Sequence, residues 1–527
     1  MDWLGVDWLW AHDYEFAREV LQRGVAAVFL VAFLSTLNQF PALLGERGLS
    51  PAPTFLRFIS FRQSPSIFHW RYSDRMLRLV CLVGALAAAS VVVGLPQLGP
   101  PWVPLLVFLL MWALYLSIVN VGQTFYGFGW ESLLLEAGFI VAFLGSSQSP
   151  PPLPIIVACW WLVFRLEFGA GMIKMRGGSE WRDFTALMYH HETQPMPGPL
   201  SRFAHLLPAW FDKLEVVGSH FAQLVVPWFL FAALIPHPVA QVVGACAAAI
   251  VILTQSWLVV TGNFAWLNWL TIVLAFSAVP DLWMLGEEGA PGPVWFGVVV
   301  IAASVLLLVL SWRPLLNLFS SNQLMNASFN RYHLVNAYGA FGTVTKERYE
   351  VIVEGTASPV PSEGWREYEF KGKPGDPTRV PRQFAPYHLR LDWLMWFLAL
   401  GRQERWFSVL LVRLLEGDRG VLRMLRHNPF PDAPPEWVRA RIFLYRFATH
   451  EERRERGLWW VRHEVDELAG PVQLGPSHPL RAKNASSVGG GAKAPAAQPD
   501  VDPDEANAVD VDNDAGEPGT GQDGARG

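Results

Sequence analysis

The chain has 527 residues, of which 52% are apolar and 17% charged, with 25 Trp and 34 Phe. Soluble domains carry roughly 25% charged residues, and several apolar runs here reach the ~20 residues that span a bilayer as a helix. A soluble globular protein is therefore excluded, and the net charge of −5, much of it from an acidic C-terminal stretch, gives no support for nucleic-acid binding.

The N-terminal segment, residues 1–19, is acidic where a cleavable signal would be basic. It reads as an interfacial segment anchored by Trp3, Trp8 and Trp10. Spans are expected near 20–44, 77–95, 102–120, 132–145, 153–175, 216–235, 239–260, 264–285 and 294–311. The fourth is short enough to be re-entrant, so the count is eight or nine transmembrane helices within a domain covering 20–316. A polar loop, 176–213, is rich in Trp, His and Pro. From 317 to 469 the composition fits a water-facing domain of mixed α/β character. Strands are expected over 348–356, 365–373 and 440–449, the first two joined as a hairpin, with helices over 391–400 and 406–417. From 470 onward no aromatic residue occurs, and that acidic tail cannot bury enough apolar surface to fold, so disorder is expected. Cys81, Cys159 and Cys246 all fall in apolar runs without a CxxC pair, so neither a disulfide framework nor a zinc site is expected.

Residues 153–175 form the central stretch, because Arg165, Glu167 and Lys174 lie in or at the end of one apolar run. Intramembrane charges are costly and pair with one another or mark function. Structurally, Arg165 or Lys174 is expected to pair with Glu136 of the fourth span. Chemically, a desolvated Lys174 could serve as a base, with Glu167, Arg165 and His191 as further catalytic candidates. The His190-His191-Glu192 run is a poor metal set, because ligands on adjacent residues rarely converge on one ion. Asn263 and Asn268, flanking a tight connection between spans, are expected to satisfy freed backbone groups and so to be structural, as is Glu136. The Gly- and aromatic-rich block 338–342 suits either a client-binding surface or a packing joint. Tyr338, Phe341, Trp365 and Trp393 are the client-binding candidates.

Several blocks carry a resemblance: FRLEFGAGMIKMRGGSEWRDFTALMYHHETQPMPGPLS in the centre, WESLLLEAGF at 130–139, TGNFAWLNWLT at 261–271, LVNAYGAFGTVTKERYEVIVEGT at 334–356 and NPFPDAPPEWVRARIFLYRF at 428–447. Together they closely resemble the lipase maturation factor family. The resemblance implies a membrane protein that assists folding and assembly of a secreted client such as a lipase, without a cofactor, through a C-terminal domain facing the lumen. It implies the endoplasmic-reticulum membrane for eukaryotic relatives and the cell membrane for a prokaryotic member. Animal members carry cysteines near Gly178 or Ser179 and near Gly372, and this chain has none there, so no redox role carries over. The positive-inside rule, applied to nine spans, instead places residues 312–527 in the cytoplasm. A weaker similarity, Gly171-Met-Ile-Lys174 followed by Trp181, is to the membrane region of vitamin K-dependent gamma-carboxylase. It supplies the alternative, a membrane enzyme acting on a quinone- or lipid-like substrate around Arg165, Glu167 and Lys174. No GxSxG elbow, phosphate loop or metal spacing is present, which favours an assisting role over an enzymatic one. A transporter ranks lowest, without visible inverted repeats.

Overall fold

A computed structural model describes residues 6–281, 291–475 and 481–482. Among them, seven helices are long and apolar enough to cross a membrane. They are α1 (Glu15–Leu43), α2 (Asp74–Val92), α3 (Trp102–Val119), α5 (Leu153–Arg176), the segment Ala209–Leu234, α9 (Pro238–Thr261) and the segment Val294–Phe319. The other two expected spans are short. Helix α4 (Gly129–Val141) has 13 residues, all buried, and α10 (Leu267–Ala275) is extended only to Ala278 by a 3-10 turn. Neither has the length of a lipid-facing span, and both are wrapped by longer helices. The polar loop folds into short helices, including α6 (Leu187–Thr193) and α7 (Ser201–His205). The segment after it begins as α8 (Ala209–His220), opens into a π turn over Phe221–Val225 and tightens into a 3-10 helix over Val226–Leu234. The last membrane segment is α11 (Val294–Leu310) followed by α12 (Trp312–Phe319).

Helix α1 starts before residue 20, at Glu15, because a partner from far along the chain caps it. The Asp281 carboxylate accepts from the backbone N–H groups of Glu15 (2.7 Å) and Phe16 (3.2 Å), which a helix cannot satisfy itself. This marks one end of the bundle. There Ala11 N–H donates to Pro151 O, Arg18 reaches Ser149 O, Ser147 N–H reaches Gln97 O, and Gln241 reaches Asp13. Trp10 is buried at this end, while Trp8 is exposed and Trp3 lies outside the described residues. At the opposite end, connections 44–73, 120–128, 177–208 and 262–266 gather beneath the C-terminal domain.

That domain is a five-stranded antiparallel sheet of order β2-β1-β5-β6-β7, with helices on one face. Strand β1 (Arg348–Thr356) pairs along its whole length with β5 (Trp437–Phe447), and β5 with β6 (Trp460–Gln473). The expected 365–373 strand is divided. β2 (Arg366–Glu367) closes the hairpin onto Glu354 and Gly355, and β3 (Glu369–Phe370) leaves to pair with β4 (Leu425–His427) across a bulge. Helices α13 (Arg390–Ala399), α14 (Arg405–Leu415) and α15 (Arg419–Met424) cover the sheet. A capped helix, α16 (His450–Arg456), joins β5 to β6. Strand β6 runs past residue 470 to Gln473, since a ladder needs backbone partners rather than aromatic side chains. The strand β7 (Arg481–Ala482) pairs with its end. The acidic tail beyond lies outside the described residues. One hydrophobic core runs without interruption from Leu9 of the bundle to Ala440 of the sheet.

Candidate functional site

The polar residues converge in three layers that climb α5 and continue into the C-terminal domain. In the lowest layer, Arg165 pairs with Glu136, both fully enclosed. Glu136 also accepts from the backbone N–H and side-chain amide of Asn336 (2.9 Å each) and from the Tyr338 hydroxyl (2.7 Å), while Arg165 donates to Asn336 O at 2.7 Å. A carboxylate buried in hydrocarbon depth is thus fully occupied, as its desolvation demands. The partners come from the linker that leads to the sheet. Gly169 leaves room for that linker, because a Cβ there would lie 2.6 Å from Tyr338 O.

The second layer ties α5 to α9 and α10. Gln255 donates to Glu167 (2.6 Å) and accepts from Asn268 (2.6 Å). In the third, the Lys174 ammonium donates to Ser219 Oγ (3.1 Å) and lies 4.3 Å above the Trp181 ring. Trp181 in turn donates to Phe341 O at 2.7 Å. Close by, His191 Nε2 lies 3.6 Å from Glu215, whose other oxygen accepts from Trp257 (2.6 Å). The neighbouring His190 ring stacks on Phe264, and burial, then the nearby His191 and Lys174, holds its pKa down at about 3.

Two further joints fix the sheet domain. Arg390 pairs with Glu131 of α4, sits 3.5 Å over the Tyr126 ring and donates to Phe125 O at 3.1 Å. Gln39 of α1 accepts from Arg390 N–H (3.0 Å) and donates to His388 O (2.6 Å). Burial and Arg390 hold His388 down at about 3, so it is a neutral ring. On the other side, Arg348 bonds Glu350 (2.5 Å) and donates to the carbonyls of Glu192 (2.8 Å) and Gln194 (2.5 Å). Lys373 bonds the same Glu350 (3.1 Å) and Pro195 O (3.2 Å), and burial lowers its pKa to about 8.

The profile of the lipase maturation factor transmembrane domain matches residues 16–285, and that of the lipase maturation factor C-terminal domain matches 334–470. Lipase maturation factor 1 of Mus musculus is 38% identical over 516 residues, covering 87% of each chain. Its Homo sapiens counterpart is 39% identical over 514 residues, covering 87% of this chain and 88% of its own. The chain belongs to the lipase maturation factor family. Lipase maturation factor 2 of Homo sapiens is more distant, 29% identical over 603 residues, with 87% of this chain and 83% of its own covered. No solved structure matches.

This family member, a multi-pass membrane protein, distributes the residues singled out in its sequence as follows. Of the two cations weighed for Glu136, Arg165 is the partner, and Lys174 stands apart on Ser219 and Trp181. Glu167 and Lys174 belong to separate layers. Asn263 accepts from the N–H groups of Phe384 (2.6 Å) and Ala385 (2.9 Å) and donates to Arg382 O (2.9 Å), so it secures the sheet domain as well as its own turn. Tyr338 and Trp393 are buried, Phe341 and Trp365 partly so. Trp393 packs on Phe128 and Trp130, and Trp365 lies under the Arg439 guanidinium at 4.1 Å. Asn336, Gln255, Glu131, Arg390, Arg348 and Glu350 escaped the sequence reading. The one local signal was polar residues spaced through apolar text, as in HLRLD at 388–392 and WESLLLE at 130–136.

Proposed function

We propose that this chain assists the maturation of an exported lipase, holding its sheet domain as a fixed platform on the client's side of the membrane. The observation that supports this reading most directly is the mounting of the domain. The buried Glu131–Arg390 ion pair, the Arg348 hydrogen bonds to Glu192 O and Gln194 O, and the Glu136–Asn336 contacts tie it to the bundle. Such a mounting suits a surface that must meet a folding client repeatedly in one orientation. Tyr338 and Trp393 act in this reading as the joint behind the platform. Client contact falls to the outer face of the sheet, where half-buried Trp365 lies against Arg439, with Arg441 beside it on Glu354. The test is deletion of the gene in its host, with secreted lipase amount and specific activity measured. Normal amount with lost activity, restored by the wild-type gene, is the expected result. Unchanged specific activity would overturn the proposal.

A further inference from the structure

The connection between α1 and α2, residues 44–73, combines three features that no joint described above uses. Three of its aromatic side chains point outward: Phe58 is 81% exposed and Trp70 79%, and Phe61, 50% exposed, stacks on Trp70 at 6.4 Å. Arginines of the connection and of the first turn of α2 are exposed and unpaired: among the described residues Arg57, Arg62, Arg71 and Arg75 make no ion pair. The loop itself is ordered. Ser64 donates to Asn120 O (2.6 Å), Ser66 to Ser117 O (2.8 Å), and Asn120 to Pro65 O (2.8 Å), which pins it to the end of α3.

Its depth follows from α2. Arg75 and Arg78 share a helix face with Leu79, Leu82 and Leu86, at three- and four-residue spacing. Those leucines are 60%, 49% and 70% exposed on an apolar helix of membrane length, so this stripe faces lipid. The arginines therefore sit at the level where the acyl region meets the headgroups. Aromatic rings prefer that level, and long cationic side chains reach out of it toward phosphate.

We propose that residues 57–75 form a binding site for anionic phospholipid headgroups. Arg57, Arg62, Arg71 and Arg75 receive the negative groups, and Phe61 and Trp70 lie in the interface beneath them. The assignment holds whichever side of the membrane carries the sheet domain, and it is independent of the client. Each basic residue near an anionic surface contributes on the order of 1 kcal/mol, so even partial engagement gives a measurable selection.

The test uses the full chain, reconstituted in nanodiscs of equal phosphatidylcholine and phosphatidylglycerol and then extracted in detergent. Retained lipid is counted by mass spectrometry. The wild type should retain phosphatidylglycerol over phosphatidylcholine by about fivefold or more, the factor that one arginine's worth of preference gives. The triple variant Arg57→Gln/Arg62→Gln/Arg71→Gln should lose that preference, and the matching triple Lys variant should keep it. Should the Gln variant fail to fold, the wild type alone decides: its preference should collapse between about 0.05 and 0.5 M salt, as exposed charge attraction is screened. Equal retention of both lipids, a salt-independent preference, or a Gln variant that selects like the wild type would each overturn the site. So would a Gln variant that lost lipase binding while its lipid preference stayed intact, because the patch would then be a protein surface.

Discussion

Glu136 and Lys174 show how differently two buried charges in one bundle can be held. Glu136 has a guanidinium, an amide side chain, a backbone N–H and a phenol around one carboxylate. Lys174 has one hydroxyl and one indole face. Removing one member of a buried pair strands the other, at a cost of about 3–5 kcal/mol. Removing one hydrogen bond to a charged group costs about 1.5–3 kcal/mol. Glu136→Gln should therefore strongly lower the thermal midpoint of the detergent-purified protein, since Arg165 keeps its charge without a counter-charge. Tyr338→Phe, deleting one of several donors to that carboxylate, should lower it less. Scanning fluorimetry of both variants beside the wild type checks the ranking. Equal midpoints for Glu136→Gln and wild type would mean that Arg165 finds compensation elsewhere.

Helices and strands divide by how local their cause is. The long spans, β1 and β5 were legible because hydropathy and β-branched content are properties of a short window. That Glu136 would meet a cation of α5, Arg165 or Lys174, was legible because charges stand out in apolar text; which of the two it meets was not. What escaped depends on partners far away in sequence. The start of α1 is set by Asp281, the occupancy of Glu136 by Asn336, and the Glu131–Arg390 pair joins residues 259 apart. No window contains both members. The same distant packing produces a pH dependence. Burial holds His190 and His388 at about 3 and His205 at about 4, against 6.5 in an open chain. The unfolded chain thus takes up protons below pH 6.5 while the folded rings stay neutral. Their contribution is complete above 6.5 and is lost as pH falls, toward 4 for His205 and toward 3 for His190 and His388. At pH 5 the loss for fully buried His388 is on the order of 2 kcal/mol. Asp392, raised by burial to about 6, and Glu192, also raised, act in the opposite sense, but buried His333, held at about 4, adds to the imidazole side. The midpoint should fall between pH 7 and pH 5, and His388→Gln should flatten that slope. A midpoint that rose on acidification would refute the assignment.

The continuous core has a consequence for the sheet domain. A domain that could fold alone would close its own apolar face and pair its own charges. Here α13 turns Trp393 toward Phe128 and Trp130, and Arg390 toward Glu131, all in the bundle. Arg348 and Lys373 spend hydrogen bonds on carbonyls of the loop 192–195. Cut free, the domain would expose that aromatic seam to water, at roughly 1.5–3 kcal/mol for each large side chain, against a net stability of only about 5–15 kcal/mol. Residues 334–475 expressed alone should therefore show no cooperative unfolding transition and should bind a hydrophobic dye. The same residues in the full chain should unfold together with the bundle in one step. A sharp, reversible transition of the isolated fragment would show that the seam is an interface between two self-sufficient domains. The single-step result would mean that any variant loosening the bundle, including one as remote as Glu136→Gln, also withdraws the platform. Loss of client maturation by such a variant would then require no contact between the altered residue and the client.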